Sequence, residues 1–303
     1  MEERTQSPGC GCGTILFLIV ALIWSGVKIH SCYDKSIFLG NTKEIGGQKF
    51  EQWKADLSSS DENRRLTAVT LFADNANYVS SVVPDLVSLL KDRSPDIRKK
   101  AASALLPLGK ELNPFQLQLF QALSDPDVAV QTVIAKIVAK SEIDFPSDAV
   151  PILVACLSSG NQELRINAAE ALLRFGSTSA PAVPMLKKML FNNDDECQAA
   201  ASTLGSIGKP ASDAIPLLIQ KSDDYGCSSA TEKAVVSFGA LAVEPLLRAL
   251  KSGSVSRREA LDMLGDLGAI ARACVPTLIR LRDRAPEDEK MYFTWALDKI
   301  QKN

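Results

Sequence analysis

Val150-Pro151-Ile152-Leu153-Val154-Ala155-Cys156-Leu157, a polar turn from Ser158 to Gln162, and then Glu163-Leu164-Arg165-Ile166-Asn167-Ala168-Ala169-Glu170-Ala171-Leu172-Leu173-Arg174-Phe175-Gly176 form the stretch whose reading decides the fold. The first segment carries Ile152, Leu153, Cys156 and Leu157 at helical spacing, behind a proline suited to the start of a helix. The second places Leu164, Ala168, Ala171, Leu172 and Phe175 on one helical face. Gly176 falls where a left-handed residue closing a helix is wanted. The spacing predicts a short helix, a turn and a longer helix.

The same signature returns as Val83-Pro84 to Gly109, Val183-Pro184 to Gly208, Ile215-Pro216 to Gly239 and Val243-Glu244-Pro245 to Gly268. Prolines 151, 184, 216, 245 and 276 are 33, 32, 29 and 31 residues apart, and Pro84 to Pro151 is 67, two such steps. A fixed period of this size means stacked units, each burying against its neighbours a face it cannot cover alone. The alanines Ala101-Ala102, Ala168-Ala169 and Ala199-Ala200-Ala201 let helices approach closely. At roughly 31 residues per unit, positions 50–303 hold about eight units, Phe50 to Asn75 first and Pro276 to Lys302 last. The unit around Asn113 to Lys140 lacks both the Val-Pro entry and the terminal glycine. Ser94-Pro95-Asp96 and Asp125-Pro126-Asp127 read as helix starts, a capping side chain ahead of a first-turn proline.

Asp96-Ile97-Arg98-Lys99-Lys100-Ala101-Ala102-Ser103-Ala104-Leu105 and Glu163 to Leu172 resemble HEAT repeats, and the short period is similar to the HEAT-like repeats of phycobilisome lyases. The resemblance covers roughly residues 50–303. It implies an all-α, right-handed solenoid of stacked helix pairs. Arg98 and Arg165 match the family's arginine at the start of the second helix, which the resemblance assigns to bonds with neighbouring turns. In the unit from Pro184, Gln198 takes that arginine's place, and the unit from Pro216 has a looser turn, Ser222 to Cys227, and no arginine.

Thr5 to Val27 contains no charged residue, and Ile15 to Trp24 is its apolar heart. It reads as one hydrophobic N-terminal helix, a single-pass membrane anchor with core 14–28 inside a segment 1–32. A cleaved signal peptide, a lipoprotein signal ending at Cys32 and a buried soluble helix are the competing readings. Arg4 on one side against Lys28 and Lys35 on the other leans the solenoid to the cytoplasmic side. Residues 33–48, with Gly40, Gly46 and Gly47, read as a linker to a solenoid over 49–303.

A formal net charge of −2 gives no general attraction to nucleic acid, so none is expected as a partner. His30 is the one histidine and lies beside the hydrophobic run, which removes histidine-based catalysis from the repeats. No phosphate loop, dinucleotide turn or paired CxxC is present. Catalytic residues, cofactor and metal are therefore all expected to be absent. Cys156, Cys197, Cys227 and Cys274 read as small buried hydrophobes, and unpaired thiols favour a reducing compartment. Cys197 and Cys227, one period apart, are the constellation to check for a ligand, and Cys10-Gly11-Cys12 is an acylation candidate.

Acidic turns recur at Asp92, Asp125, Asp127, Asp194 to Glu196 and Asp223-Asp224, explained by capping or by a cation- or arginine-binding ridge. Arg272, Arg280, Arg282 and Arg284 gather near the last unit, and Phe293, Ala296, Leu297 and Ile300 share a core-facing helical face. The expectation is a non-enzymatic, membrane-anchored scaffold holding a protein partner on its concave surface. The alternative is a lyase-like enzyme, or an enzyme subunit, binding a small ligand.

Overall fold

Capping chemistry sets where the long helices begin. The Asp61 carboxylate accepts from the N–H groups of Asn63 and Arg64, Asp127 from Ala129 and Val130, Asn161 from Leu164, and Asn193 from Glu196. Each satisfies N–H groups that the first turn leaves without an intrahelical partner. The structure is a computed structural model that describes residues 44, 45 and 47–302. The chain divides between Phe50 and Glu51. Ahead of the division, Glu44–Ile45 pairs antiparallel with Gln48–Lys49 as a short hairpin, β1 and β2, where the sequence suggests plain linker.

The remaining elements are helical and come in eight pairs. They are α1 (Phe50–Asp56) with α2 (Glu62–Asp74), α4 (Val83–Leu89) with α5 (Pro95–Leu105), α6 (Gln116–Ala122) with α7 (Val128–Lys140), and α8 (Ala149–Cys156) with α9 (Gln162–Leu173). Then follow α10 (Val183–Met189) with α11 (Asp194–Ile207), α12 (Ile215–Lys221) with α13 (Ser228–Ser237), α14 (Ala240–Ser252) with α15 (Arg257–Asp266), and α16 (Val275–Arg284) with α17 (Lys290–Lys302). A four-residue turn of helix, α3 (Ala76–Val79), links the first two pairs.

Second helices pack on one another from α2 to α17, with the α13–α15 seam the loosest. Successive first helices touch far less, and α12 with α14 is their closest pair. Small residues explain the asymmetry. Ala68, Ala101, Ala135, Ala168, Ala200 and Ala234, on successive second helices, are all at most 3% exposed. Hydroxyls stitch the same side: Thr203 donates to the Ala169 carbonyl (2.7 Å), Ser206 to that of Leu173 (3.0 Å) and Ser237 to that of Gly205 (3.2 Å). The stack is therefore close-packed along its second helices and splayed along its first.

Gly109, Gly176, Gly208, Gly239 and Gly268 all have φ between 51° and 68°. Gly109, Gly208 and Gly239 combine this with ψ of −119°, −136° and −128°, the mirror-image extended region open to glycine, not the left-handed helical well the sequence suggests. The chain leaves four of these glycines through 3₁₀ segments, at Leu106–Phe115, Gly176–Ala182, Lys209–Ala214 and Gly268–Cys274, before the next first helix.

The membrane expectation is corrected here. Among the described residues no helix is long and apolar enough to cross a membrane. The longest, α11, has 14 residues and reaches about 21 Å, against an apolar bilayer core of about 30 Å. A single-pass membrane placement with a cytoplasmic solenoid is not supported. The hydrophobic stretch with core 14–28, His30 and the acylation candidate Cys10-Gly11-Cys12 lie outside the described residues.

Candidate functional site

A ladder of inter-unit bonds runs along the turns. Four residues after the helix-capping position stand Arg65, Arg98 and Arg165. Arg65 donates to both carboxylate oxygens of Asp92 (2.7 and 3.2 Å), Arg98 to both of Asp125 (2.7 and 2.9 Å), and Arg165 to both of Glu196 (3.0 and 2.5 Å). The third guanidinium nitrogen ties down the preceding turn, at the carbonyls of Ser59, Asp92 and Ser159 respectively. Each fork joins one unit to the next with charge-assisted geometry. The acceptors are all at most 7% exposed at the side chain, which takes these pairs out of the weak class of surface ion pairs.

The electrostatics follow. Burial works to raise the Asp92 carboxyl, but bonds from Arg65 and from the Ser94 N–H hold it below the usual range. Arg165 holds Glu196 low against its burial, helped by Asn192 and Asn193. The acidic turns at Asp92 and Asp125 therefore bind the chain's own arginines, while Asp127 caps a helix. The Ser94 side chain makes no capping bond; its N–H donates to Asp92 instead (2.9 Å).

Two rungs differ. In α7 the arginine position is Gln131, and this step is held by Asn167 donating to the Thr132 carbonyl (3.2 Å) and Arg174 donating to Val138 and Ile143 (2.5 and 2.8 Å). In α11 the position four after the Asn193 cap is Cys197, not Gln198 as the sequence suggests. Cys197 forms a disulfide with Cys227, the capping residue of α13. Gln198 donates alongside to the Gly226 carbonyl (2.7 Å). The disulfide corrects the reading of these two cysteines as unpaired thiols and removes the basis for a reducing compartment. Cys156 and Cys274 remain free and buried, and burial raises both thiols, which makes them poor nucleophiles.

The second helices present a row of solvent-open positions. Thr70, Ser103, Lys136, Glu170, Ser202 and Val236 fall once per unit over the first six pairs, and all are partly or fully exposed. Further along, an acidic seam lies between α13 and α15. Burial first, and then the charges of Glu259, Asp262 and Asp266, raise the Glu232 carboxyl; burial and the charges of Glu259 and Asp266 raise Asp262. One carboxylate oxygen of Glu259 is buried without a hydrogen-bond partner. At the last unit, Phe293, Ala296, Leu297 and Ile300 are buried, while Met291 and Trp295 are exposed and Lys299 sits 4.1 Å from the Trp295 ring centre. Among the described residues no group of three or more His, Cys, Asp or Glu side chains could hold a metal ion.

Sequence reasoning identifies Arg98, Arg165 and the Cys197–Cys227 neighbourhood and marks Asp92, Asp125 and Glu196 within acidic turns, but misses Arg65 and the pairing of each arginine with its acid. The signal of that pairing is a carboxylate 27 or 31 residues after each arginine.

Comparison with known proteins agrees with this architecture. A family model described as HEAT repeats matches residues 117–201. No curated protein matches the chain. Among solved structures, an engineered protein is 21% identical, covering 83% of this chain and 78% of its own, with a TM-score of 0.56. The complex of CpcE and CpcF of phycocyanin lyase from Nostoc sp. PCC7120 is 19% identical over 86% of this chain and 99% of that chain, with a TM-score of 0.43. The match to the engineered protein shows the fold alone, and the chain is an all-helical solenoid of HEAT-like repeats.

Proposed function

We propose that the chain is a non-catalytic scaffold that holds a protein partner across the concave surface made by its second helices. The observation that carries this reading is the row Thr70, Ser103, Lys136, Glu170, Ser202 and Val236. Side chains of different character recur there once per unit on a continuous, close-packed backing. Such a row lines an extended surface of the kind that stacked repeats use for binding. A non-enzymatic role is supported by Cys197 and Cys227, which are engaged with each other and offer no free thiol. HEAT repeats generally mediate protein interactions, and that agrees with the reading.

The test is photo-crosslinking in the native host from positions 136, 170 and 202, with Gln121 and Ala155 on first helices as controls. One common partner trapped from the three second-helix positions and not from the controls supports the proposal. Adducts independent of position, or none, overturn it.

A further inference from the structure

From α4 onward the first helices divide into two chemically different sets. In α4, α6 and α8 the one charged residue is Asp85. In α10, α12, α14 and α16 there are eight basic residues against two acidic ones, Glu244 and Asp283. Both acids are spent within their own helices, on Arg248 (3.8 Å) and Arg282 (3.0 Å). Lys188, Lys251, Arg280 and Arg284 have no ion-pair partner among the described residues. The splayed side of the last four units therefore carries uncompensated positive charge, in a chain whose net charge is −2.

That side also holds a groove of about 790 Å³ between α12 and α14. Pro216 and Ile219 line it from α12, Pro245 and Ala249 from α14, and the exposed Arg248 and Lys251 line it as well. We propose that this groove docks an acidic segment of a partner protein, with an aliphatic side chain seated between the helices and flanking carboxylates on Lys251 and on Arg248, whose contact with Glu244 is long and exposed and yields to a partner's carboxylate. Charge complementarity selects the occupant. The lining has no aromatic ring on which nucleic-acid bases would stack. A recess between two helices admits a side chain, whereas a flat bilayer surface does not enter it. The surface is separate from the second-helix face and stands whether or not that face binds a partner.

The experiment is selection of a random-peptide display library on the full-length chain, followed by titration of labelled winners. The expected winners carry Asp or Glu around Leu, Ile or Val, and their affinity falls by about tenfold or more in R248E/K251E, the loss of two charge-assisted contacts. The control K99E, on a second helix, leaves it unchanged. Arg248 and Lys251 are exposed, and far-UV circular dichroism of the variant checks its fold. The proposal is overturned if no peptide enriches, if winners lack carboxylates, or if R248E/K251E binds them normally. It is also overturned if phosphatidylserine-containing vesicles or a single-stranded oligonucleotide bind through Arg248 and Lys251 where peptides do not.

Discussion

Cys197 and Cys227 form a covalent rung in the position that Arg165 and Glu196 fill with an ion pair one unit earlier. The two bonds do the same mechanical work by different chemistry. Both fix a second helix to the start of the next unit. The disulfide closes a loop with a sequence separation of 30. Loop-closure entropy for that length predicts a contribution of about 3–4 kcal/mol. Urea unfolding of the wild type with and without reductant, and of C197S/C227S without it, measures this. The double variant should match the reduced wild type, and equal midpoints for reduced and oxidised protein would show that the rung bears no load.

Arg165→Ala should destabilise the protein by about 2–4 kcal/mol, because it strips the main partner from a fully buried carboxylate. The pH dependence has a definite sign. Glu196 is held below its ordinary range, so its stabilising share is present above the ordinary glutamate pKa of about 4.3 and is lost as pH falls through the lowered value. Urea midpoints between neutral and acid pH should therefore fall less steeply in R165A than in the wild type.

The α13–α15 seam predicts the opposite sign. Glu232 is held above its ordinary range, so ionising it opposes folding, and the cost disappears as pH falls through the raised value. Glu232→Gln should raise stability at neutral pH by up to about 1 kcal/mol. In acid, where the wild-type carboxyl is already protonated, the two proteins should melt together. A loss of stability at neutral pH would show that the carboxylate is compensated.

Gly205 is required by close approach. A Cβ there would lie 2.9 Å from the Ser237 hydroxyl and 3.0 Å from the Ala234 Cα. The backbone atom cannot swing aside, so Gly205→Ala should cost about 1–3 kcal/mol despite the better helix propensity of alanine. Gly160→Ala, where a Cβ meets nothing within 4 Å, is the control for thermal melting.

Much of the architecture can be read from spacing, because a helix pair leaves a strong apolar period and proline and glycine mark its ends. The ladder is legible by half. Arg98 and Arg165 are visible, but their acceptors sit in turns where helix capping accounts for any carboxylate equally well. The disulfide is missed by one residue of register. Placing Gln198 at the arginine position leaves Cys197 as an ordinary buried side chain; only the Asn193 cap fixes the register. The 3₁₀ segments stay hidden because Gly176 to Ala182 and its counterparts have no apolar period of their own.

The stack transmits order only from neighbour to neighbour, so its loss travels inward from the ends one unit at a time. A covalent rung between the fifth and sixth pairs is then a stop. Fraying that begins at α17 reaches the loose α13–α15 seam first and can run no further than α13 without carrying a closed loop with it. Under oxidising conditions the first five of the eight pairs are shielded from fraying at the C-terminal end; under reducing conditions that stop is gone.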